Sequence, residues 1–228
     1  MKKHRWNVQP KEAIIIQQKL RKQVVIKKLN KTPVFIAGAD VSLNLYSTTV
    51  HAGFVVMEYP SLTIVDHVSI TDETIFPYIP GLLSFREIPS LLKAWEKLKI
   101  KPDIIIVDGV GIAHPRRLGI ASHLGVLLDI PTIGCAKSVL TGIYNEPPLE
   151  AGTFTYLHDP KTHETIGAAV RTKNKVKPVF ISPGHKITLE ESIRIILAST
   201  RKYRLPEPTR MAHNVMNNYR KGEQPKLF

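Results

Sequence analysis

The sequence predicts an α/β protein built on a mixed β-sheet with helices on both faces. Three observations carry that expectation. Residues 33–43, 49–58 and 62–70 read as the three strands of an antiparallel meander, with Tyr59, Pro60 and Ser61 turning the second into the third. Residues 103–140, DIIIVDGVGIAHPRRLGIASHLGVLLDIPTIGCAKSVL, pass from an apolar run through a glycine turn to a helical period and a second apolar run. That is the pattern of a βαβ unit. A meander followed by βαβ elements requires antiparallel and parallel pairing in one sheet, and 228 residues at 43% hydrophobic supply a core for it.

Residues 10–30 place Ile14, Ile15, Leu20, Val24, Val25 and Leu29 at helical spacing, with Pro10 suited to a helix start and Asn30 to its end. The outer face of this amphipathic helix is basic (Lys19, Arg21, Lys22, Lys27, Lys28) and either meets phosphates or is simply solvated. The strand at 33–43 is apolar enough to be buried on both faces, yet it contains Asp40. An unpaired buried carboxylate costs several kcal/mol, so Asp40 needs a metal, a donor or an exit at the strand end. PYIPGLLSFRE at 77–87 opens with two prolines and a glycine within five residues, a rigid exposed turn that holds Tyr78 outward. A helix follows from 84 to 99. Ser84 and Glu87 have capping-box spacing, so Glu87 is either a helix-start residue or a metal ligand at the same place.

In the 103–140 unit, Asp108, His114 and Lys137 fall at the carboxyl end of the strands, where ligands bind in open α/β sheets. An acid, an imidazole and an ammonium beside a glycine turn suit phosphate or metal chemistry. The plainer reading makes Asp108 a turn cap, Lys137 a solvated residue and His114 a ring stacked on Pro115. His123 reads as a packed helix residue. Farther on, 152–158 and 164–170 form a hairpin, and 179–182 is a strand ending in the turn Ser182-Pro183-Gly184-His185. Residues 189–198 form a helix with an acidic start. RKYRLPEPTR at 201–210 is a basic link, 211–220 a short helix carrying His213, and 221–228 a loose tail.

Thirty-two Lys and Arg against 19 Asp and Glu leave a net charge of +13, which points to a polyanionic partner such as nucleic acid or else to a generally basic surface. The single cysteine, Cys135, excludes an intrachain disulfide and a Cys-based zinc site. No apolar run approaches a membrane span or a signal-peptide core, so a cytoplasmic protein with no membrane partner is expected.

Asp40, Glu87 and Asp108 make chemical sense together. If the first and fourth strands are neighbours, Asp40 and Asp108 lie side by side, and three carboxylates in one pocket hold each other's protons. A hard divalent cation such as Mg²⁺ resolves that repulsion through oxygen ligands and can activate water against a phosphodiester. Lys137 could then stabilise the developing phosphorane charge, His114 orient or protonate near the scissile phosphate, and His213 shuttle a proton or ligate. For His213, a surface position on its helix is the plainer reading.

These blocks resemble the endonuclease V family of nucleases, which recognise deaminated purines. AGADVSL at 37–43 is similar to its first-strand motif and PYIPGLLSFRE to its wedge segment and following acid. VDGVGIAHPRRLGIASHLGV with PTIGCAKSVL is similar to its longest motif, and SPGHKI and YRLPEPTRMAH to its last blocks. The resemblance runs from about residue 10 to 220, in order. It implies one ribonuclease H-like domain over 1–228, with a five-stranded mixed sheet flanked by helices. It implies a Mg²⁺-dependent DNA repair enzyme, with Mn²⁺ as a substitute, that nicks the second phosphodiester 3′ to hypoxanthine in deoxyinosine-containing DNA and leaves a 3′-hydroxyl and a 5′-phosphate. An inosine-specific ribonuclease is the neighbouring expectation, and a non-catalytic binder of mismatched nucleic acid, which would not need the ion, a third. Asp40, Glu87 and Asp108 match the family's metal-binding acids, with His114, Lys137 and His213 completing the catalytic set. Tyr78 matches the wedge tyrosine, followed by Pro80 and Gly81. Leu82, Leu83, Gly109, Gly111, Ile120 and Gly125 would wall the pocket for the flipped base. A monomer is expected. Val110 departs from the polar residue common between the two glycines, and Cys135 from a common valine.

Overall fold

The computed structural model describes residues 4–43 and 47–223. Its elements run α1 (Pro10–Leu20), β1 (Phe35–Leu43), β2 (Thr49–Glu58), β3 (Ile64–Glu73), α2 (Leu83–Lys97), β4 (Ile104–Val107), α3 (Ile120–Leu128), β5 (Thr132–Ala136), β6 (Phe154–His158), β7 (Thr165–Val170), β8 (Val179–His185), α4 (Leu189–Ala198) and α5 (Glu207–Arg220).

The strands form one sheet in the order β3-β2-β1-β4-β5-β8-β7-β6. The α/β class and the mixed pairing are as the sequence predicts: β1, β2 and β3 are an antiparallel meander, and β4 runs parallel to both β1 and β5. The five-strand expectation is corrected to eight. The hairpin β6–β7 and β8 add antiparallel to the free edge of β5. Ser182-Pro183-Gly184-His185, read as a turn, remains in β8. Pro183 lacks an N–H, and it sits where the β5–β8 register shifts, a place where a strand tolerates proline.

Strand alternation divides the core. Ile36, Ile104, Ile106, Ile133 and Ile181 pack with α4 and α5, including Ile195, Val215 and Met216. The intervening residues Ala37, Ile105 and Val107 pack with α2 and α3 through Leu91 and Leu124. The contact with α5 is unusually close. A Cβ on Gly38 would stand 1.9 Å from the Pro208 carbonyl oxygen, so only glycine lets this helix settle on β1.

Three helix boundaries differ from the sequence reading. The first helix ends at Leu20, with a single 3₁₀ turn over Arg21–Gln23, and the chain is then extended to residue 30. Val24, Val25 and Ile26 are β-branched, and the extended path is held by Val25 N–H donating to His185 Nδ1 at 3.2 Å and Lys186 N–H donating to the Val25 carbonyl at 2.6 Å. Ser84 does not cap α2. Leu82 occupies the cap position without a side-chain bond, and the buried Ser84 hydroxyl pairs instead with His123 Nδ1 at 3.0 Å. Finally, α5 begins at Glu207 rather than 211, because Pro208 fits a first helical turn. Of the expected tail, residues 224–228 lie outside the described residues. Among the described residues no helix is long and apolar enough to cross a membrane.

Candidate active site

β1 and β4 are parallel neighbours with Ala39 opposite Val107, so the next residues, Asp40 and Asp108, stand side by side at the sheet's centre. Glu87, in the second turn of α2, and His213, in the second turn of α5, close the same cavity of about 260 Å³. Enclosure by protein pushes the Glu87 carboxyl up to about 8, and the charges of Asp40 and Asp108 push it the same way. Asp40 is buried, and among the described residues its Oδ2 accepts no close hydrogen bond. His213 Nδ1 stands 3.4 Å from it. Asp108 is ion-paired with Lys137, whose own carbonyl accepts from Arg204 at 2.9 Å.

The sequence reading missed the support behind His213. Ser42 Oγ donates to Asn217 Oδ1 at 2.8 Å, and Asn217 Nδ2 stands 2.9 Å from His213 Nε2. An amide donor at Nε2 leaves the neutral ring with its proton on Nδ1, aimed at Asp40. The carboxylate pulls the other way and raises the imidazole's pKa, mainly through that contact. Asn217 follows His213 by four residues, so helical spacing alone could have placed it on the same face.

The donor set fits a hard divalent cation. Its three acids offer oxygens, one of them orphaned on Asp40, and burial together with the charges of Asp40 and Asp108 favours the protonated form of Glu87, which a cation would reverse. Among the described residues no three ligating side chains already form a cage. Here the Lys137 ammonium on Asp108 supplies the positive charge, and His213 stands beside Asp40.

A second pocket of about 250 Å³ adjoins the first, sharing Ile120 as a wall. Of the residues expected to receive a base or its wedge, Tyr78, Pro80, Gly81, Leu83, Gly109 and Ile120 line it. Leu82, Gly111 and Gly125 do not. Leu82 is buried with Ala13, Phe76 and Phe85. An added Cβ on Gly111 would lie 2.0 Å from the Pro183 carbonyl oxygen, and one on Gly125 2.3 Å from Thr132 Oγ1, so those glycines serve close packing of loop and helix on the sheet. Val110 faces the pocket, as do Gln17, Leu118, Ser138 and Val139, which the sequence did not single out.

The turn carrying Tyr78 is clamped at Gly81, whose φ of +80° suits glycine. Its carbonyl accepts from Gln17 Nε2 at 3.0 Å, His114 Nε2 at 3.0 Å and Arg116 at 2.7 Å. His114 Nδ1 accepts from the Arg116 N–H at 3.1 Å. Both ring nitrogens of His114 are therefore engaged. The ring lines the second pocket rather than the acidic one, and burial pushes its pKa down to about 4. Tyr78 is 69% exposed at the rim. His123 is packed, as expected, bonded to Ser84 and to His4 at 2.8 Å.

Paired carboxylates at the strand ends, with a lysine on one and an imidazole beside the other, are an arrangement suited to a hydrolytic enzyme. The comparisons name the family. The endonuclease V family model matches residues 18–214. Endonuclease V of Gloeobacter violaceus is 50% identical over 225 residues, 97% of this chain and 91% of that one. The crystal structure of endonuclease V from Streptomyces avermitilis superposes with a TM-score of 0.89 at 40% identity, covering 95% of each chain. That of Ciona intestinalis endonuclease V, in complex with DNA containing an inosine followed by a ribo-adenosine, gives 0.83 at 28% identity, covering 93% of this chain and 98% of that one. The chain belongs to the endonuclease V family.

Proposed function

We propose that this protein is a Mg²⁺-dependent repair endonuclease of ribonuclease H-like fold. It extrudes hypoxanthine from deoxyinosine-containing DNA and nicks the second phosphodiester on the 3′ side, leaving a 3′-hydroxyl and a 5′-phosphate. The observation that supports this best is the adjacency of two cavities sharing Ile120, one walled by three carboxylates and the other by the glycine and apolar residues behind Tyr78. Asp40, Glu87 and Asp108 would hold the ion. When bound, magnesium supplies Lewis-acid activation of water and charge stabilisation at phosphate.

The chain's own groups do the rest. Tyr78, exposed at the rim of a clamped turn, fills the gap left by the extruded base. Extrusion costs a few kcal/mol, less at a mispair, which itself favours lesions. The pocket's apolar walls and the Gly109 backbone receive the base. The Lys137 ammonium, now on Asp108, is the cation in the site that would meet a phosphate placed beside the acids. His213 offers its Nδ1 proton on the Asp40 side. We propose one domain acting as a cytoplasmic monomer.

The deciding measurement is nicking of a hypoxanthine-containing duplex with and without Mg²⁺, with Mn²⁺ as substitute. Wild type should cut only with the ion, and Asp40→Asn and Asp108→Asn should each lose at least 100-fold in rate, the scale of removing one preorganised electrostatic contributor. Undiminished cutting by both variants would sink the assignment. The Ciona complex, with its ribo-adenosine after inosine, makes a matched inosine RNA strand the necessary second substrate. Preference for it would replace the DNA reading with the ribonuclease one.

A further inference from the structure

The sheet's outer strand, β6, carries a feature the nuclease chemistry does not use. Leu157 points into the core, while the alternate residues Phe154, Tyr156 and His158 form a row on the opposite face. Phe154 is 40% and Tyr156 43% exposed, and the ring centroids follow one another at 5.5 and 6.3 Å. Their strand partners Val170 and Ala168 belong to the core under α4, so the row continues that face of the sheet beyond the helix.

Next to the Phe154 end, the loop after β7 brings Lys173, Lys175 and Lys177. The last two are exposed, and none of the three makes an ion pair among the described residues. The row is also continuous with the candidate active site. Thr155 lies in register with Ala169, Phe180 and Ala136, and the residue after Ala136 is Lys137, on Asp108. Three strand spacings separate them, about 14 Å. The span is bridged by the basic link before α5, where Arg204 bonds the Lys137 carbonyl and accepts from Thr172 at 2.7 Å, with Tyr203 exposed beside it.

We propose that β6 and the 173–177 loop form a platform for single-stranded nucleic acid, which carries the strand away from the cleavage site. Alternate residues on a strand are about 6.7 Å apart, and these rings stand 5.5 and 6.3 Å apart, steeply inclined to one another at 74° and 63°, so each offers its own contact to a base rather than one shared stack. Rings so spaced fit bases of a drawn-out single strand, stacked without regard to sequence, with the lysines along its phosphates. The inference rests on the nuclease reading for its purpose, not for its test.

The test is fluorescence anisotropy with a labelled oligo-dT of about 20 nucleotides, free of inosine and of divalent metal. Phe154→Ala/Tyr156→Ala should weaken binding at least ten-fold, as base–ring stacking implies. Lys175→Glu/Lys177→Glu should lower the slope of log affinity on log salt by about 1.4, two phosphate contacts on a single strand. Circular dichroism melts confirm that each variant is folded. The ring variant should nick a short inosine duplex, ending before β6, at the wild-type rate. Unchanged affinity and unchanged slope overturn the platform, as does failure of wild type to bind oligo-dT. A variant effect confined to sedimentation overturns it too, since that marks β6 as an edge pairing with a second copy. The outcomes that overturn the platform are read by binding and sedimentation without inosine or metal, so the platform and the nuclease assignment fail separately.

Discussion

At the scale of the residue, two side chains make predictions of opposite kind. His114 is neutral because burial and the neighbouring Arg116 disfavour its charge, and both nitrogens already serve the Gly81 turn. Its folded pKa near 4 lies below the unfolded value of 6.5, so the folded state binds fewer protons. The stability is fully present above pH 6.5 and is lost as pH falls toward 4. The amount is about 3 kcal/mol at the lower limit. Glu87, raised to about 8, contributes with the opposite sign, its stabilisation growing as pH falls from 8 toward the unfolded value of 4.5. The His114 loss is therefore read as the stability difference between wild type and His114→Gln in urea unfolding from pH 7 to pH 4, which should shrink as pH falls. Asn217 concerns function instead. Asn217→Ala removes the amide from His213 Nε2 and should slow nicking about ten-fold, the usual cost of losing an orienting partner. Proton placement on the ring, read by ¹⁵N NMR of labelled histidine, should shift from Nδ1 toward Nε2. Slowed nicking with the ring's proton unmoved would contradict the orienting role.

At the scale of the element, the packing of α5 on β1 sets His213 against Asp40. Gly38→Ala forces a methyl into the Pro208 carbonyl and should cost about 2 kcal/mol, overpacking of a close contact. In a chain of this size that lowers Tm by roughly 5 °C. A melt within 1 °C of wild type would show that the helix can shift without penalty. Periodicity made the elements legible: strands and helices with clear alternation, such as β2 and α4, stand where the sequence placed them. It failed where tertiary bonds overrule local pattern. Residues 24–30 keep a helical spacing of apolar side chains but are drawn extended by His185, Lys186 and Glu191, all more than 150 residues away. Ser84 has a capping spacing but is taken by His123. Nothing local reveals such partners.

At the scale of the molecule, the same limit separates what the sequence reveals of the site. Asp40, Glu87 and Asp108 could be grouped only on the condition that β1 and β4 are neighbours, which the meander and the βαβ unit leave open and the family resemblance implies; the sheet order makes them so. Gln17 could not, since it reaches the Gly81 carbonyl only after α1 folds back across 64 residues. The +13 charge also belongs to the whole molecule. Binding to inosine-free duplex DNA should weaken linearly in log salt, with a slope near −0.9 for each phosphate neutralised. A total slope shallower than −3 between 50 and 200 mM salt would show the surplus charge to be general solvation rather than a nucleic-acid surface.

The seating of α5 has a consequence in time. Asp40 is among the first residues of the sheet to be synthesised, and His213 arrives 173 residues later, on the last helix. Ala212, Val215 and Met216 of that helix also complete the core against Ile36 and Met57. A nascent chain short of α5 thus has its acids without their imidazole and an open flank over β1. Completion of the core and completion of the candidate site both await α5, so a chain lacking that helix also lacks the His213 contact to Asp40.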